Sequence, residues 1–372
     1  MIIKLGKVIS EYSVRNKADE DIPVYSVTND KGFCTNYFSK DVSSKDRTTY
    51  KIVPYGYFAY NPSRINVGSV DWQHYEKKVI VSPLYVVFYV DEVIDQRYLL
   101  HYLKSDITLK FIKSNSAGSV RDNLKLSVLQ EFSINLRTKE EQYKIVNILD
   151  KVDLLISLYT EKLEKFDELT KSLFIEMFGD PSMNPKGYPE KSLSEITEYW
   201  NGLIYKPEDV SNEGTIVLRS SNIRNATLDF EDIVRVSCKI GDKKYVQDND
   251  ILMCSRNGSA RLVGKVALIK DIDEPMSFGA FMIIIRSPYY QYLMTYFQMP
   301  AFRAQITTGA TTTINQITVR MLDSVKLPVP ELDFINEFSD FIKPIDKSKL
   351  AVKKSLEELE ILKKSLMQKY FA

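Results

Sequence analysis

Two polar turns, one in each half of the chain, carry side chains suited to reading nucleic-acid bases. Residues 61–68 are Asn-Pro-Ser-Arg-Ile-Asn-Val-Gly, and residues 255–261 are Ser-Arg-Asn-Gly-Ser-Ala-Arg. Arginine can form a paired hydrogen bond to guanine, and asparagine or glutamine can do the same to adenine. Two further small polar loops, 114–123 and 307–316, follow later in each half. The pattern predicts side chains that hydrogen-bond to bases.

The candidate base-contacting residues all lie in these turns or in a polar segment that follows a strand. In the first half they are Asn61, Ser63, Arg64, Asn66, Asn115, Arg121 and Asn123. In the second half they are Arg219, Asn222, Arg224, Arg256, Asn257, Arg261, Asn315 and Gln316. Lys113 and Lys265 are predicted to contact phosphate, because the lysine ammonium is a point charge that lacks the planar, paired donors of a guanidinium. The alternative for any one of them is an ordinary turn residue that satisfies backbone groups.

The charge distribution favours a polyanionic partner more than the net charge of +1 does. Segments 97–125, 251–270 and 286–320 are basic, whereas 139–180 is acidic. A local basic segment is enough for nucleic-acid binding, because phosphate neutralisation releases counterions whatever the total charge of the protein. Solvated loop faces are the alternative explanation for these segments.

Known catalytic patterns are incomplete in this sequence. Residues 258–265 superficially resemble a phosphate-binding loop, but Val266 stands where Ser or Thr would bind magnesium. Residues 61–64 lack the second proline and the aromatic residue of an amino-methyltransferase motif. His74 and His101 are isolated, so the sequence predicts neither a catalytic triad nor a His-rich metal site.

One group of charged residues has the residue types of a nuclease site. Asp71, Glu76 and Lys78 offer two carboxylates and a lysine over a short span. A solvated charged turn explains them more simply. We therefore predict no catalytic residue and no metal site in this chain.

Short strands must position the polar turns. In the first half, strands are predicted over 24–27, 50–53, 57–60, 79–81, 86–90 and 132–136, with a helix over 95–111. In the second half, strands are predicted over 216–218, 250–254 and 281–285, with a helix over 289–306. Each half is therefore a mixed α/β domain of the α+β class, and the polar turns follow its strands.

A long helix is predicted over 138–178. Its apolar residues recur at alternating steps of three and four, which keeps them on one side. Thr138 and Glu141 have the spacing of a capping box, and Gly179 provides the stop. Such a helix is about 60 Å long, at about 1.5 Å per residue. It is too long to be buried in one domain, so we interpret it as a spacer with an apolar seam.

The chain repeats itself with a shift of 193 residues. The Lys-Ser-Leu of 171–173 recurs at 364–366, and Asp153 falls on Asp346. The predicted organisation is a first globular domain 1–137, a helix 138–180, a second globular domain 181–329 and a second helix 330–372. Pro344 is expected to kink or split the second helix.

Composition indicates an ordinary soluble protein. Hydrophobic residues make up 44% and charged residues 27% of the 372 residues. The three cysteines are too few and scattered for a disulfide framework, and no uninterrupted apolar run reaches membrane-spanning length. We expect a cytoplasmic location.

Several motifs together resemble the specificity subunits of type I restriction-modification systems. Glu141-Gln142 and the helix that follows, ending in Met-Phe-Gly-Asp-Pro at 177–181, look like the first conserved region of that family. The Leu-Pro-Val-Pro of 327–330 with the final helix resembles the second region, and 61–68 resembles a turn of the target-recognition domains. The second copy departs from the first, because it has Phe334-Ile335 in place of Glu141-Gln142.

The resemblance implies a non-catalytic subunit that recognises DNA. Each globular domain would read one half of a bipartite, asymmetric double-stranded DNA site. The helices would form an antiparallel coiled-coil spacer with an internal pseudo-twofold repeat. Two methyltransferase subunits would dock on that spacer, with Glu141 and Gln142 contacting a partner.

The same resemblance places all cofactors on partner subunits. The methyltransferase would bind S-adenosylmethionine and flip the target adenine, and a restriction subunit would use ATP and Mg²⁺. Two alternatives remain open at this point, namely a coiled-coil protein–protein adaptor without DNA specificity and a stand-alone nuclease or methyltransferase.

Overall fold

The computed structural model describes residues 1–35, 46–116, 123–307 and 315–371. It forms two compact units, Met1–Glu161 with Val352–Ala372, and Lys162–Ala351. Among the described residues, no helix combines the length and the apolarity that crossing a membrane requires.

The first unit is built around a four-stranded antiparallel sheet with strand order β2-β9-β6-β7. Its strands are β1 (Ile2–Lys4), β2 (Ile9–Glu11), β3 (Ser26–Thr28), β4 (Gly32–Cys34), β5 (Lys51–Pro54), β6 (Phe58–Tyr60), β7 (Val70–Trp72), β8 (Lys78–Val81), β9 (Val86–Val90) and β10 (Ser133–Asn135). Its helices are α1 (Gln96–Leu103), α2 (Asp106–Ser116), α3 (Leu126–Gln130) and the start of α4 (Lys139–Phe178), with 3-10 turns at Leu5–Lys7 and Ile65–Val67. Strands β1 and β10, β3 and β4, and β5 and β8 form separate pairs.

Both faces of this sheet are buried, which explains its apolar strands. Phe58, Tyr60 and Phe88 point into the main core with the helices, and the rings of Phe58 and Phe88 stack with centroids 5.1 Å apart. Ala59 and Val87 alternate to the other face, where they join the core formed with β5 and β8.

The second unit repeats this plan around a sheet with strand order β12-β21-β18-β19. Its strands are β11 (Glu190–Ser192), β12 (Glu198–Asn201), β13 (Val210–Ser211), β14 (Thr215–Leu218), β15 (Ile223–Arg224), β16 (Thr227–Leu228), β17 (Arg235–Val236), β18 (Ile251–Cys254), β19 (Val266–Leu268), β20 (Met276–Phe278), β21 (Met282–Arg286) and β22 (Lys326–Pro328). Its helices are α5 (Leu193–Ile196), α6 (Tyr290–Tyr296), α7 (Pro300–Thr307), α8 (Val319–Asp323) and the start of α9 (Leu332–Phe371), and 3-10 turns occur at Pro207–Asp209, Ser220–Asn222 and Asp242–Lys244. A second sheet, β13-β17-β14-β20, contains one parallel pair, β14 with β20.

The predicted long helix is confirmed as α4, and its start has the predicted capping box. The Thr138 amide donates to Glu141 Oε2 at 3.0 Å, and the Glu141 amide donates to Thr138 Oγ1 at 3.3 Å. The helix ends at Phe178, and the next residue, Gly179, has a φ of 81°, in the left-handed region that glycine adopts most readily.

Each core is closed by the start of one long helix and the end of the other. The first unit buries Ile145 and Leu149 of α4 together with Met367 and Phe371 of α9. The second unit buries Phe338 and Ile342 of α9 together with Phe174 and Phe178 of α4. These are the same four positions of the 193-residue repeat. The repeat therefore extends from sequence to packing.

Two predictions about helix continuity were wrong, and of the kink or split expected at Pro344, the split does not occur. The helix predicted over 95–111 is split into α1 and α2 because Ser105 Oγ accepts from the Thr108 amide and caps a new helix. The helix predicted over 289–306 breaks before Pro300, which has no amide and occupies the first position of α7. Conversely, α9 continues through Pro344 without a split. The bond that Pro344 removes belongs to the carbonyl of Asp340, an exposed residue that water can reach.

Candidate nucleic-acid interface

In the first unit, the turn that follows β6 is held by its own side chains. Asn61 Oδ1 accepts from both the amide and the hydroxyl of Ser63, each at 3.1 Å. Gly68 closes the turn with a φ of 90°. Ser63 and Arg64 remain exposed, and Asn61 and Asn66 are half-buried. The sheet thus presents a rigid polar turn at the end of its strand.

Two other predicted segments meet this turn. The Leu124 amide donates to the carbonyl of Pro62 at 3.1 Å, which places Asn123 beside the turn. Helix α2, which carries Lys113 and Asn115, packs against the 3-10 turn Ile65–Val67. Asn115 is exposed, and its Nδ2 donates to the carbonyl of Phe111 at 2.9 Å. Arg121 lies outside the described residues.

In the second unit, the turn after β18 meets two other predicted loops. Arg256 forms a β-bridge with Gln316, and Asn257 Nδ2 donates to Ser220 Oγ at 3.1 Å. Asn315 Nδ2 donates to the carbonyl of Gly258 at 3.2 Å. β18 in this unit and β6 in the first unit occupy the same place in equivalent sheets. The turns that follow these two strands therefore lie at equivalent edges of the two sheets.

A cleft of about 530 Å³ lies at this edge of the second unit. The residues that line it include Asn201, Ile204, Arg256, Phe281, Gln316 and Arg320. Among the residues that the structure describes, none that lines the cleft is acidic, and the Arg256 guanidinium lies over the Phe281 ring, 5.2 Å from the centroid. Sequence reasoning missed the role of Phe281, which was assigned only to a buried strand, because its closeness to Arg256 depends on the pairing of β18 with β21.

Arg261 and Lys265 lie in the loop between β18 and β19. Arg261 is exposed, and the Lys265 carbonyl accepts from the Cys254 amide at 2.9 Å, so Lys265 is at the same sheet edge. Because the loop joins two antiparallel strands, it lacks the strand–loop–helix context of a phosphate-binding loop.

Three further predicted base-contacting residues are engaged within the second unit. Asn222 is only 1% exposed, and its amide group accepts from the Arg219 amide at 2.9 Å and donates to the carbonyls of Asp229 and Asp232. The prediction of base contact by Asn222 is therefore corrected, because a buried side chain with these bonds cannot reach a base. Arg219 pairs with Asp232 at 2.7 Å, and Arg224 pairs with Asp229 at 3.1 Å.

Comparison with known proteins gives the family of the chain. The family described as the type I restriction modification DNA specificity domain matches residues 2–167 and 185–361. The chain belongs to this specificity-subunit family. The predicted resemblance is confirmed, and so is the prediction of a non-catalytic subunit that recognises DNA; the coiled-coil adaptor without DNA specificity is not favoured.

Individual relatives agree with this assignment. The chain is 23% identical to the type I restriction enzyme MjaVIII specificity subunit of Methanocaldococcus jannaschii over 315 residues, which cover 78% of this chain and 73% of the relative. It is also 23% identical to the EcoKI specificity subunit of Escherichia coli over 303 residues, which cover 76% of this chain and 65% of the relative.

Solved structures show the same fold. The S subunit of a type I restriction-modification system from M. genitalium has a TM-score of 0.55 at 15% identity, and the match covers 100% of this chain and 96% of that one. A chain from a structural study of type I R-M complex assembly has a TM-score of 0.53 at 16% identity, covering 100% and 97%.

The two residues that the specificity-family resemblance assigned to partner contact differ in their environment. Glu141 is exposed and caps α4. Gln142 is fully buried, and its side chain bonds to the backbone of Asp95, Val93 and Arg137. The expected partner contact is corrected for Gln142, because its polar atoms are used inside the first unit. Its equivalent in the second copy, Ile335, is also fully buried.

The nuclease-like group does not form a site. The Asp71 carboxylate is buried and accepts from the amides of Phe33 and Trp72, each at 2.9 Å, and burial raises the pKa of this carboxyl. Lys78 forms an ion pair with Glu20. Asp71 therefore has a structural role.

The two histidines are engaged in structural contacts. The ring of His74 stacks on Trp72, with centroids 4.5 Å apart. His101 Nε2 lies 2.8 Å from Asp150 Oδ1, at the contact of α1 with α4.

Proposed function

We propose that each globular domain of this chain reads one half of a bipartite, asymmetric DNA site. The observation that carries the proposal is the position of the polar turns, which follow β6 and β18 at the same edge of equivalent sheets. The exposed arginines Arg64, Arg256 and Arg261 lie in these two turns or next to them. The surrounding side chains differ between the copies, as recognition of two different half-sites requires.

The residues proposed to face DNA are those that the structure leaves accessible at these edges. In the first domain they are Asn61, Ser63, Arg64, Asn66, Lys113, Asn115 and Asn123. In the second domain they are Arg256, Asn257, Arg261, Lys265, Asn315 and Gln316. Arg219 and Arg224 would first have to release their carboxylate partners before they could contact bases. Lys113 and Lys265 remain the proposed phosphate contacts.

We propose that α4 and α9 form an antiparallel coiled-coil spacer with a pseudo-twofold repeat. In the first unit, Asp153 of α4 pairs with Lys363 of α9 at 2.6 Å. In the second unit, Phe174 packs on Phe338 with ring centroids 5.8 Å apart. Residues in the second half of one helix thus contact residues in the first half of the other. A helix of 40 residues spans about 60 Å, which exceeds the about 34 Å of one turn of duplex.

Two methyltransferase subunits are the proposed partners of the helices. Ile148 is 41% exposed and its repeat equivalent Phe341 is 60% exposed, while Leu169 and its equivalent Leu362 are 51% and 46% exposed. Each unit therefore exposes one member of each pair, one on α4 and one on α9. We infer that these side chains belong to docking surfaces, because contiguous exposed apolar patches mark interaction sites. We propose S-adenosylmethionine, ATP and Mg²⁺ as cofactors of the partner subunits.

Mapping of methylated adenines in host DNA tests this function. Deletion of the gene should abolish methylation at one bipartite motif with a fixed gap, while other methylated motifs persist. Replacement of residues 181–327 by the corresponding domain of a relative should change one half of the motif and preserve the other half. An unchanged map, with the methyltransferase subunit shown to be expressed and active, would refute the proposal.

A further inference from the structure

Phe281 is a large apolar side chain exposed at the proposed DNA-reading edge. It is 57% exposed, although it directly precedes the buried strand β21. Its backbone is fixed, because its carbonyl accepts from the amides of Ser255 at 2.9 Å and Arg256 at 3.2 Å. The strand pairing thus holds the ring at the mouth of the cleft.

Arg256 is held beside this ring from two sides. Its guanidinium lies 5.2 Å from the Phe281 centroid, and its backbone forms the bridge to Gln316. In the part of the chain that the structure describes, no carboxylate lies within ion-pair distance of Arg256, whereas Arg219 is paired with Asp232. Arg256 therefore keeps its charge and its donors for a ligand.

We propose that Arg256 reads a guanine in the half-site of the second domain, and that Phe281 is its positioning residue. This inference rests on the proposed function. The guanidinium fork matches the O6 and N7 acceptors that guanine presents in the major groove. Stacking on an aromatic face orients the planar fork before DNA arrives, so less side-chain freedom is lost on binding.

A guanine contact and a phosphate contact make different demands on this side chain. A phosphate needs only a positive charge, and a lysine would serve as well without any stacking partner. A base edge needs two donors in a fixed plane. A cleft of mixed apolar and polar lining, with Ile204 86% exposed and Phe281 at its mouth, fits a base edge better than a phosphate.

The first domain does not contain this pair. The repeat places Ser63 at the position of Arg256. Just before β9, the strand equivalent to β21, the exposed apolar residue is Leu84, which is 80% exposed and has no aromatic face. The two domains therefore differ in the chemistry of one shared position, and the first half-site provides an internal control.

Methylome mapping of single variants in the complete methyltransferase complex tests the inference. The Arg256→Lys variant keeps the charge but loses the fork, so preference for guanine should fall by about 5- to 150-fold at one position of the second half-site. Phe281→Leu should weaken preference at that same position, and Phe281→Tyr should retain it. Val210→Ala, a change at an exposed apolar position of the same domain outside the cleft lining, should leave the motif unchanged. Thermal melting of each complex verifies folding.

The outcomes separate this inference from the function on which it rests. A second half-site without guanine, or full guanine preference in Arg256→Lys, would overturn it while the bipartite motif remained. Loss of preference in Phe281→Leu at a different position, or equally in both half-sites, would overturn the positioning role. If Phe281→Leu does not assemble, Phe281→Met is the second unstacked variant. Absence of any bipartite motif in the wild type would refute the proposed function itself.

Discussion

The side-chain oxygen of Gln142 accepts a hydrogen bond of 2.7 Å from the backbone amide of Asp95. Asp95 is in turn the N-cap of α1, because its carboxylate accepts from the amides of Arg97 and Tyr98. Gln142 also donates to the carbonyls of Val93 and Arg137. One buried side chain thus joins the start of α4 to the start of α1.

Replacement of Gln142 by alanine should destabilise the first unit. The change leaves buried backbone groups without partners, so we expect the free energy of unfolding to fall by about 2–4 kcal/mol. Urea denaturation measures this loss. Glu141→Gln retains a side-chain oxygen that can accept from the Thr138 amide. This change should lower the free energy of unfolding by less than about 0.5 kcal/mol. Equal effects of the two changes would show that the buried bonds are not the cause.

Asp150 should make the first unit sensitive to acid. Partial burial acts to raise the pKa of this carboxyl, but the bonds from His101 and Arg97 outweigh burial and hold the pKa below its usual value. A carboxyl with a lowered folded-state pKa stabilises the fold above its unfolded pKa of about 4, and this contribution is lost as the pH falls through the folded-state value.

Urea unfolding at pH 7 and at about pH 3 measures this effect. Asp150→Asn should be less stable than the wild type at pH 7, and the difference should shrink at low pH because protonation of the Asp150 carboxyl in the unfolded wild type then favours unfolding. A difference that is constant between the two pH values would contradict the role of the Asp150 charge.

Asn222 should prove to be a structural residue. Its side chain is 1% exposed and binds the backbone of the Asp229–Asp232 turn. Asn222→Ala should therefore cost about 2–3 kcal/mol of stability without changing the bases that are methylated. Ser221→Ala, a change at an exposed neighbour, is the matched control. A changed half-site motif in a stably folded Asn222→Ala protein would restore the original prediction of base contact.

Local signals made the long helices and their repeat predictable. The cap formed by Thr138 and Glu141, the stop at Gly179 and the apolar stripe are all encoded within a few residues of where they act. The strands β6, β9, β18 and β21 were also evident, because their apolar runs are uninterrupted.

Features that depend on tertiary pairing were not predictable. The contact of Arg256 with Phe281 requires the register that sets Cys254 opposite Met282, and no local pattern encodes that register. Similarly, the sequence around Asn222 is that of an exposed polar turn, but the segment 229–232 folds over it. The same residue types can read bases or satisfy backbone groups, and only burial distinguishes the two roles.

Phe178 should be a principal contributor to the stability of the second unit. Its ring is 2% exposed and lies 5.0–5.3 Å from the rings of Phe174, Tyr292, Phe334 and Phe338. Phe178→Ala should cost about 3–5 kcal/mol through lost burial and the cavity that remains. Phe341→Ala, at a 60% exposed position on α9, should cost far less. Urea denaturation of the two variants gives the comparison, and similar losses would contradict the assigned core.

The exposed apolar pairs on the helices should act as two equivalent docking sites. Ile148 and Phe341 occupy the same position of the repeat, but one lies in the first unit and the other in the second. A charge placed in an apolar contact is costly to bury. Ile148→Asp or Phe341→Asp should therefore each remove one of the two proposed methyltransferase copies, and the double variant should remove both.

Native mass spectrometry of the assembled complex counts these copies. Leu84→Asp introduces the same charge at an 80% exposed apolar position outside the helices, so it should leave both copies bound. The repeat predicts that each single variant loses one methyltransferase copy without affecting the other, because each docking surface has its own equivalent set of side chains. If either single variant released both copies, the two sites would be coupled or the docking surface would lie elsewhere. If the double variant retained both copies, the proposed surface would be wrong.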